Sequence, residues 1–85
     1  MTIHGHIKAK LKDAGFTTRE AKAVIASTQA RSSQTNGDLN RIWDHDVSIA
    51  HPAVILTVLE DTFATARIWA TAFLPDRKIT LETKN

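Results

Sequence analysis

AVILTVLEDTFATARIWATAFL, residues 53–74, is the stretch whose reading decides the fold. Within it Ile55, Leu59, Phe63, Ala66, Ala70 and Phe73 recur every three or four positions and share one face of a helix, flanked by Leu56, Val58, Trp69 and Leu74. The β-branched run from Val54 to Leu59 would pass for a strand by itself, but the helical spacing persists through Phe73, well past usual strand length. Pro52 suits a first helical turn, where its missing N–H would have no partner anyway, and Pro75 ends the helix by biasing Leu74 toward extended backbone. Val54 and Ile68 point off the main stripe, so this helix is expected either to be buried on two sides or to offer an apolar patch.

Upstream, Ile3, Ile7 and Leu11 recur every four residues, which predicts a first helix from about Ile3 to Asp13 closed by Gly15 as a left-handed cap. Thr17 and Glu20 match the capping box, in which hydroxyl and carboxylate each satisfy an otherwise orphan backbone N–H, so a second helix starts at Thr18. Its apolar stripe is Ala21, Val24, Ile25 and Thr28. The polar run from Ser27 to Asn36 predicts fraying in its second half. Asn36-Gly37 reads as a turn, and Asp38 as the cap of a short third helix that carries Leu39, Ile42 and Trp43 and ends near His45. Ser48 to Pro52 is a connector, and Lys78 to Asn85 a polar tail, either a short edge strand or disordered. The expectation is one all-α domain over residues 1–85, a compact bundle of about four helices around the long C-terminal one. Its predicted core holds Ile7, Leu11, Val24, Ile25, Leu59, Phe63 and Phe73.

One local resemblance accompanies this reading. Leu11-Lys12-Asp13-Ala14-Gly15-Phe16-Thr17-Thr18-Arg19-Glu20-Ala21-Lys22-Ala23-Val24-Ile25 resembles the opening helical hairpin of the bacterial histone-like and integration-host-factor family. That family continues into a β-sheet and long DNA-gripping arms. This chain continues with polar residues, Trp43 and a helical pattern, so the resemblance implies shared helix-start chemistry without the DNA-gripping parts.

With no cysteine among 85 residues, a disulfide framework and thiolate metal sites are both excluded, and a reducing cytoplasm is the expected location. No charge-free window of membrane-spanning length and no signal-peptide core is present, so neither membrane nor secretion is expected. Net charge is +2, but seven basic residues oppose three acidic ones through Ile42, and four oppose six beyond it. Lys8 and Lys12 stand one turn apart on the first helix, and Arg19 and Lys22 on one side of the second. They are the candidate nucleic-acid contacts, set against the reading that they are an ordinary solvated face interrupted by Asp13 and Glu20.

Asp44, His45, Asp46 and His51 form the densest group of ligand-type side chains, yet their spacing matches no established metal motif, and caps or exposed polar residues are the expected roles. His4 and His6, about 200° apart on a helix, are expected to be exposed and unable to share a metal. No nucleophile, phosphate loop or isolated carboxylate pair marks an enzyme, and no cofactor or metal is expected.

The expected function is therefore that of a small non-enzymatic regulator or inhibitor acting on another protein, an outline that includes proteins carried by phages or plasmids. Trp43, Val54, Ile68 and Trp69 are the candidate protein interface, with a homodimer as one form of partner. The alternative is a DNA-binding regulator using the basic N-terminal hairpin.

Overall fold

Thr2 opens the first helix in a way its neighbours require: its hydroxyl accepts the Gly5 N–H at 3.0 Å while its own backbone is extended. In the computed structural model, which describes residues 1–35 and 42–82 (of 32–35 the backbone only), this helix, α1, spans Ile3–Ala14. It buries Ile3, Ile7, Leu11 and Ala14. Its end is a Schellman motif: the Gly15 N–H bonds the Lys12 carbonyl, the Phe16 N–H bonds the Leu11 carbonyl, and Gly15 sits at φ 121°. Phe16 and Leu11 are both buried, supplying the apolar contact that accompanies the motif.

The capping box then starts α2, Thr18–Thr35, as expected. The Glu20 N–H donates to the Thr17 hydroxyl oxygen at 3.2 Å, and the Thr17 N–H donates to Glu20 Oε1 at 2.8 Å. The expected fraying is not seen in the backbone, which stays helical to Thr35. Thr28, fully buried, returns its hydroxyl proton to the Val24 carbonyl at 2.9 Å. Asn36-Gly37 and the Asp38 cap lie outside the described residues. What is described of the expected third helix is a single 3-10 turn, Ile42–Asp44, closed by the His45 N–H on the Ile42 carbonyl.

The chain leaves that turn to run beside the N-terminus instead of extending the helix. Ile3 N–H donates to the His45 carbonyl at 2.8 Å and Val47 N–H to the Met1 carbonyl at 2.9 Å, making one antiparallel bridge between Thr2 and Asp46. Asp46 thus lies outside any helix. Its Oδ1 accepts the Ser48 hydroxyl at 2.6 Å and the Ser48 N–H at 2.9 Å, and its Oδ2 meets the Met1 amine at 3.2 Å. These Ser48 bonds, side chain before backbone, with the amine behind them, hold the Asp46 pKa down at about 2.

His51 caps the last helix, α3, Pro52–Phe73, its Nδ1 accepting the Ala53 N–H at 3.1 Å with Pro52 at the first turn. α3 packs against α2 and α1, and the 3-10 turn packs against α1. The described chain is therefore all-α, with three α-helices where four were expected, and no strand among the described residues.

The face of α3 that enters the core is rotated from the expected stripe. Val58, Leu59, Thr62, Phe63, Thr65 and Ala66 are buried, while Ile55 and Ala70 are half-buried at its margin. Threonines tolerate this position because their hydroxyls bond the preceding turn, Thr62 to the Val58 carbonyl at 2.7 Å and Thr65 to that of Asp61 at 3.3 Å. Phe73 departs from its predicted place in the core: it is 65% exposed. A 22-residue helix is about 33 Å long, against about 27 Å for α2 and about 18 Å for α1, so α3 is longer than either helix packed against it.

The described part of the tail is neither a strand nor detached. Thr80 N–H donates to the Ala14 carbonyl at 3.0 Å, and Ile79 and Leu81 pack against the margin of the core.

Candidate functional site

Among the described residues, the last two turns of α3 carry a concentration of apolar side chain that the core leaves partly or wholly exposed. Ile68, Trp69, Ala72 and Phe73 stand at i, i+1, i+4 and i+5, which makes them neighbours along one side of the helix. Ile68 is 68% exposed, and Ala72 is exposed beside it. Trp69 is half-buried and links inside to outside. Its ring meets Phe16 edge-on at 6.2 Å and Phe73 at 4.9 Å. Phe16 is buried, so the three rings step from the core to solvent in order Phe16, Trp69, Phe73.

Two basic side chains border this end of the molecule. Arg67 adjoins Ile68, Thr71 and Ala72 in an open depression and has no acidic partner among the described residues. Around the helix, a groove of about 420 Å³ lies between α3 and the tail, lined by Ala70, Leu74, Ile79 and Leu81 with Arg67 and Arg77. Arg77 donates to the Glu20 carboxylate. The Glu20 pKa is lowered, first by the Thr17 N–H and also by this guanidinium.

Of the residues expected at a protein interface, the structure brings only Ile68 and Trp69 together. Val54 is half-buried and 14 residues earlier on the same helix, about 21 Å away along its axis. Trp43 belongs to the core, 3% exposed, with its ring edge-on to His4 at 6.2 Å, and so has no surface to offer a partner. The 3-10 turn that carries it packs against α1, in the same core cluster as Ile3 and Ile7. Phe73 and Ala72 are the residues that sequence periodicity missed.

Lys12, Arg19 and Lys22 are exposed and Lys8 is half-buried, on α1 and on the start of α2. Asp13 is exposed on the same hairpin, and Glu20 is engaged by Thr17 and Arg77. His4 and His6, expected to be exposed, are both half-buried.

The ligand-type residues of the connector are dispersed into structural roles. Asp46 binds Ser48 and the Met1 amine, His51 caps α3, and His45 contributes its carbonyl to Ile3. Among the described residues no three His, Asp or Glu side chains are grouped to hold a metal ion, and no helix is long and apolar enough to cross a membrane.

The hairpin that resembles the histone-like family is present as α1 and α2, but a 3-10 turn and a long helix follow it where that family has its sheet. Comparison with protein-family models, with curated proteins and with solved structures finds no match to this chain.

Proposed function

We propose that this chain is a small non-enzymatic binding module of the cytoplasm, a regulator or inhibitor whose partner is another protein seated on Ile68, Trp69, Ala72 and Phe73. The observation that carries the reading is Phe73, an aromatic residue 65% exposed whose ring leans on Trp69 at a 51° tilt, in a chain whose core closes without it. Exposed aromatics backed by a rigid helix are the usual anchors of protein interfaces, because they bring large area at little cost in rotamer entropy. The partner segment has an apolar side chain for this shelf.

The experiment is an affinity capture from nuclease-treated host extract with three forms of the full chain: native, Ile68→Ser/Phe73→Ser, and a variant with Lys8, Lys12, Arg19 and Lys22 all changed to Gln. The reading requires one defined protein that binds the native and glutamine forms and is lost from the serine form, with all three equally helical by circular dichroism. Tight binding of purified protein to duplex DNA, falling steeply with salt and lost in the glutamine form, overturns it in favour of a DNA-binding regulator.

A further inference from the structure

A different flank of α3 carries a second complementarity. Leu56, Glu60, Arg67 and Thr71 are all exposed and fall within an arc of about 60° along the helix. Phe73 lies about 120° around the helix from Arg67, so this flank is not the surface already described. Leu56 is 40% exposed. Neither Glu60 nor Arg67 has an ion-pair partner among the described residues. They cannot serve each other, because seven residues separate them by about 10.5 Å along the axis.

The geometry points to a second copy of this chain as the occupant of that flank, with the two α3 helices antiparallel about a two-fold axis between Phe63 and Ala64. Under such an axis each position n faces position 127 − n of the other copy, which is helix arithmetic and not a fit. Glu60 then faces Arg67 of the second copy, and Arg67 faces Glu60, so both unpartnered charges are neutralised at once. Leu56 faces Thr71, about 11 Å on the far side of the axis. Thr71 lines the groove of about 420 Å³ between α3 and the tail, together with Ala70, Leu74, Ile79 and Leu81. Leu56 is thus an apolar knob placed opposite a recess whose floor is apolar and whose borders include Arg67 and Arg77, and the two-fold repeats the contact. Ala64, exposed and near the axis, leaves room for the helices to approach closely.

This pairing does not rest on a partner at Phe73. In the dimer the two Phe73 shelves lie at opposite ends, about 28 Å apart along the helices, so a partner surface with two sites would be held at both.

Sedimentation equilibrium on the full chain, up to about 1 mM, tests it. The native chain forms a reversible dimer. Glu60→Arg and Arg67→Glu each place like charges opposite one another and weaken association on the order of tenfold or more. An equimolar mixture of those two variants restores both pairs and associates as a heterodimer close to native strength. Leu56→Ser weakens the dimer without touching charge, and Phe73→Ser leaves it unchanged. A native chain that stays monomeric throughout overturns the proposal. So do single reversals without effect, or a mixture of two folded variants that fails to associate.

Discussion

Arg77 donates to the carboxylate of Glu20, 57 positions earlier in the chain, and the oxygen it reaches, Oε1, also accepts the Thr17 N–H. One atom therefore closes the capping box of α2 and anchors the segment that follows α3. The anchor depends on the box, since Glu20 turns back toward Thr17 only because that N–H is an orphan of the helix start.

Replacing Thr17 with alanine removes the hydroxyl that accepts the Glu20 N–H and is expected to cost about 1 kcal/mol. A urea titration reads this directly. Glu20→Gln keeps an acceptor for the Thr17 N–H and is expected to cost less than Glu20→Ala, which loses cap and ion pair together. Equal midpoints for Thr17→Ala and the native chain would show that the cap contributes nothing.

Two glycines of α1 and its end should respond to alanine with opposite sign. At Gly15 the backbone lies at φ 121°, and an added Cβ would stand 3.2 Å from the Ile79 side chain and 3.2 Å from the Lys78 carbonyl oxygen. Backbone strain alone costs about 1–2 kcal/mol there, and the rigid carbonyl cannot move aside cheaply. At Gly5, inside the helix, the same Cβ meets Met1 and Thr2 side-chain atoms at 3.5 Å, an ordinary contact. Gly5→Ala is expected to stabilise by roughly 0.5–1 kcal/mol, since it narrows the unfolded ensemble. Thermal midpoints that move in the same direction for both would contradict the assigned geometry.

Phe63 and Phe73 share an α3 periodicity but not an environment. Phe63 is 2% exposed, and Phe63→Ala should cost about 3–5 kcal/mol, enough to unfold much of a domain this small. Phe73→Ala should change stability by about 0.5 kcal/mol or less, because the ring is already mostly in water. Chemical denaturation of both variants checks this. A large loss at Phe73 would place it in the core after all.

That pair also marks what the sequence makes legible. The start of α2, the Gly15 stop, Pro52 at the first turn of α3 and the Ile3-Ile7-Leu11 stripe are written in local chemistry, since each depends on residues within a few positions. The rotation of α3 is not, because Thr62 and Thr65 count as polar in a periodicity while their hydroxyls are satisfied one turn back. Nor is the exposure of Phe73, which depends on how far neighbouring helices reach. Trp43 illustrates the reverse: a tryptophan in a domain this small is more often core than anchor, and α1 packed against its turn decides for core. Of the site, Ile68 and Trp69 were legible from the breadth of the apolar face, and Phe73 was hidden by fitting the stripe too well.

The bridge between Thr2 and Asp46, with the Asp46 contacts beside it, should weaken in acid. Asp46 is held at about 2 from an ordinary 3.8, chiefly by the hydroxyl and N–H of Ser48 and then by the Met1 amine. In the unfolded chain those bonds are gone and the carboxyl returns to its ordinary value. Above about pH 5 both states are ionised, so the contribution is present in full and does not vary with pH. As pH falls through about 4 the unfolded state takes up a proton while the folded state does not, and stability declines. Below about 2 both are protonated and the contribution is gone. Glu20, also lowered, acts with the same sign, so the measurement must isolate Asp46. Urea midpoints of the native chain and of Asp46→Asn, followed from pH 7 to pH 2, do so by difference. The native advantage is expected to hold level to about pH 5 and to shrink steadily toward pH 2. An advantage as large at pH 2 as at pH 7 would mean that the Ser48 bonds do not depend on the charge of Asp46.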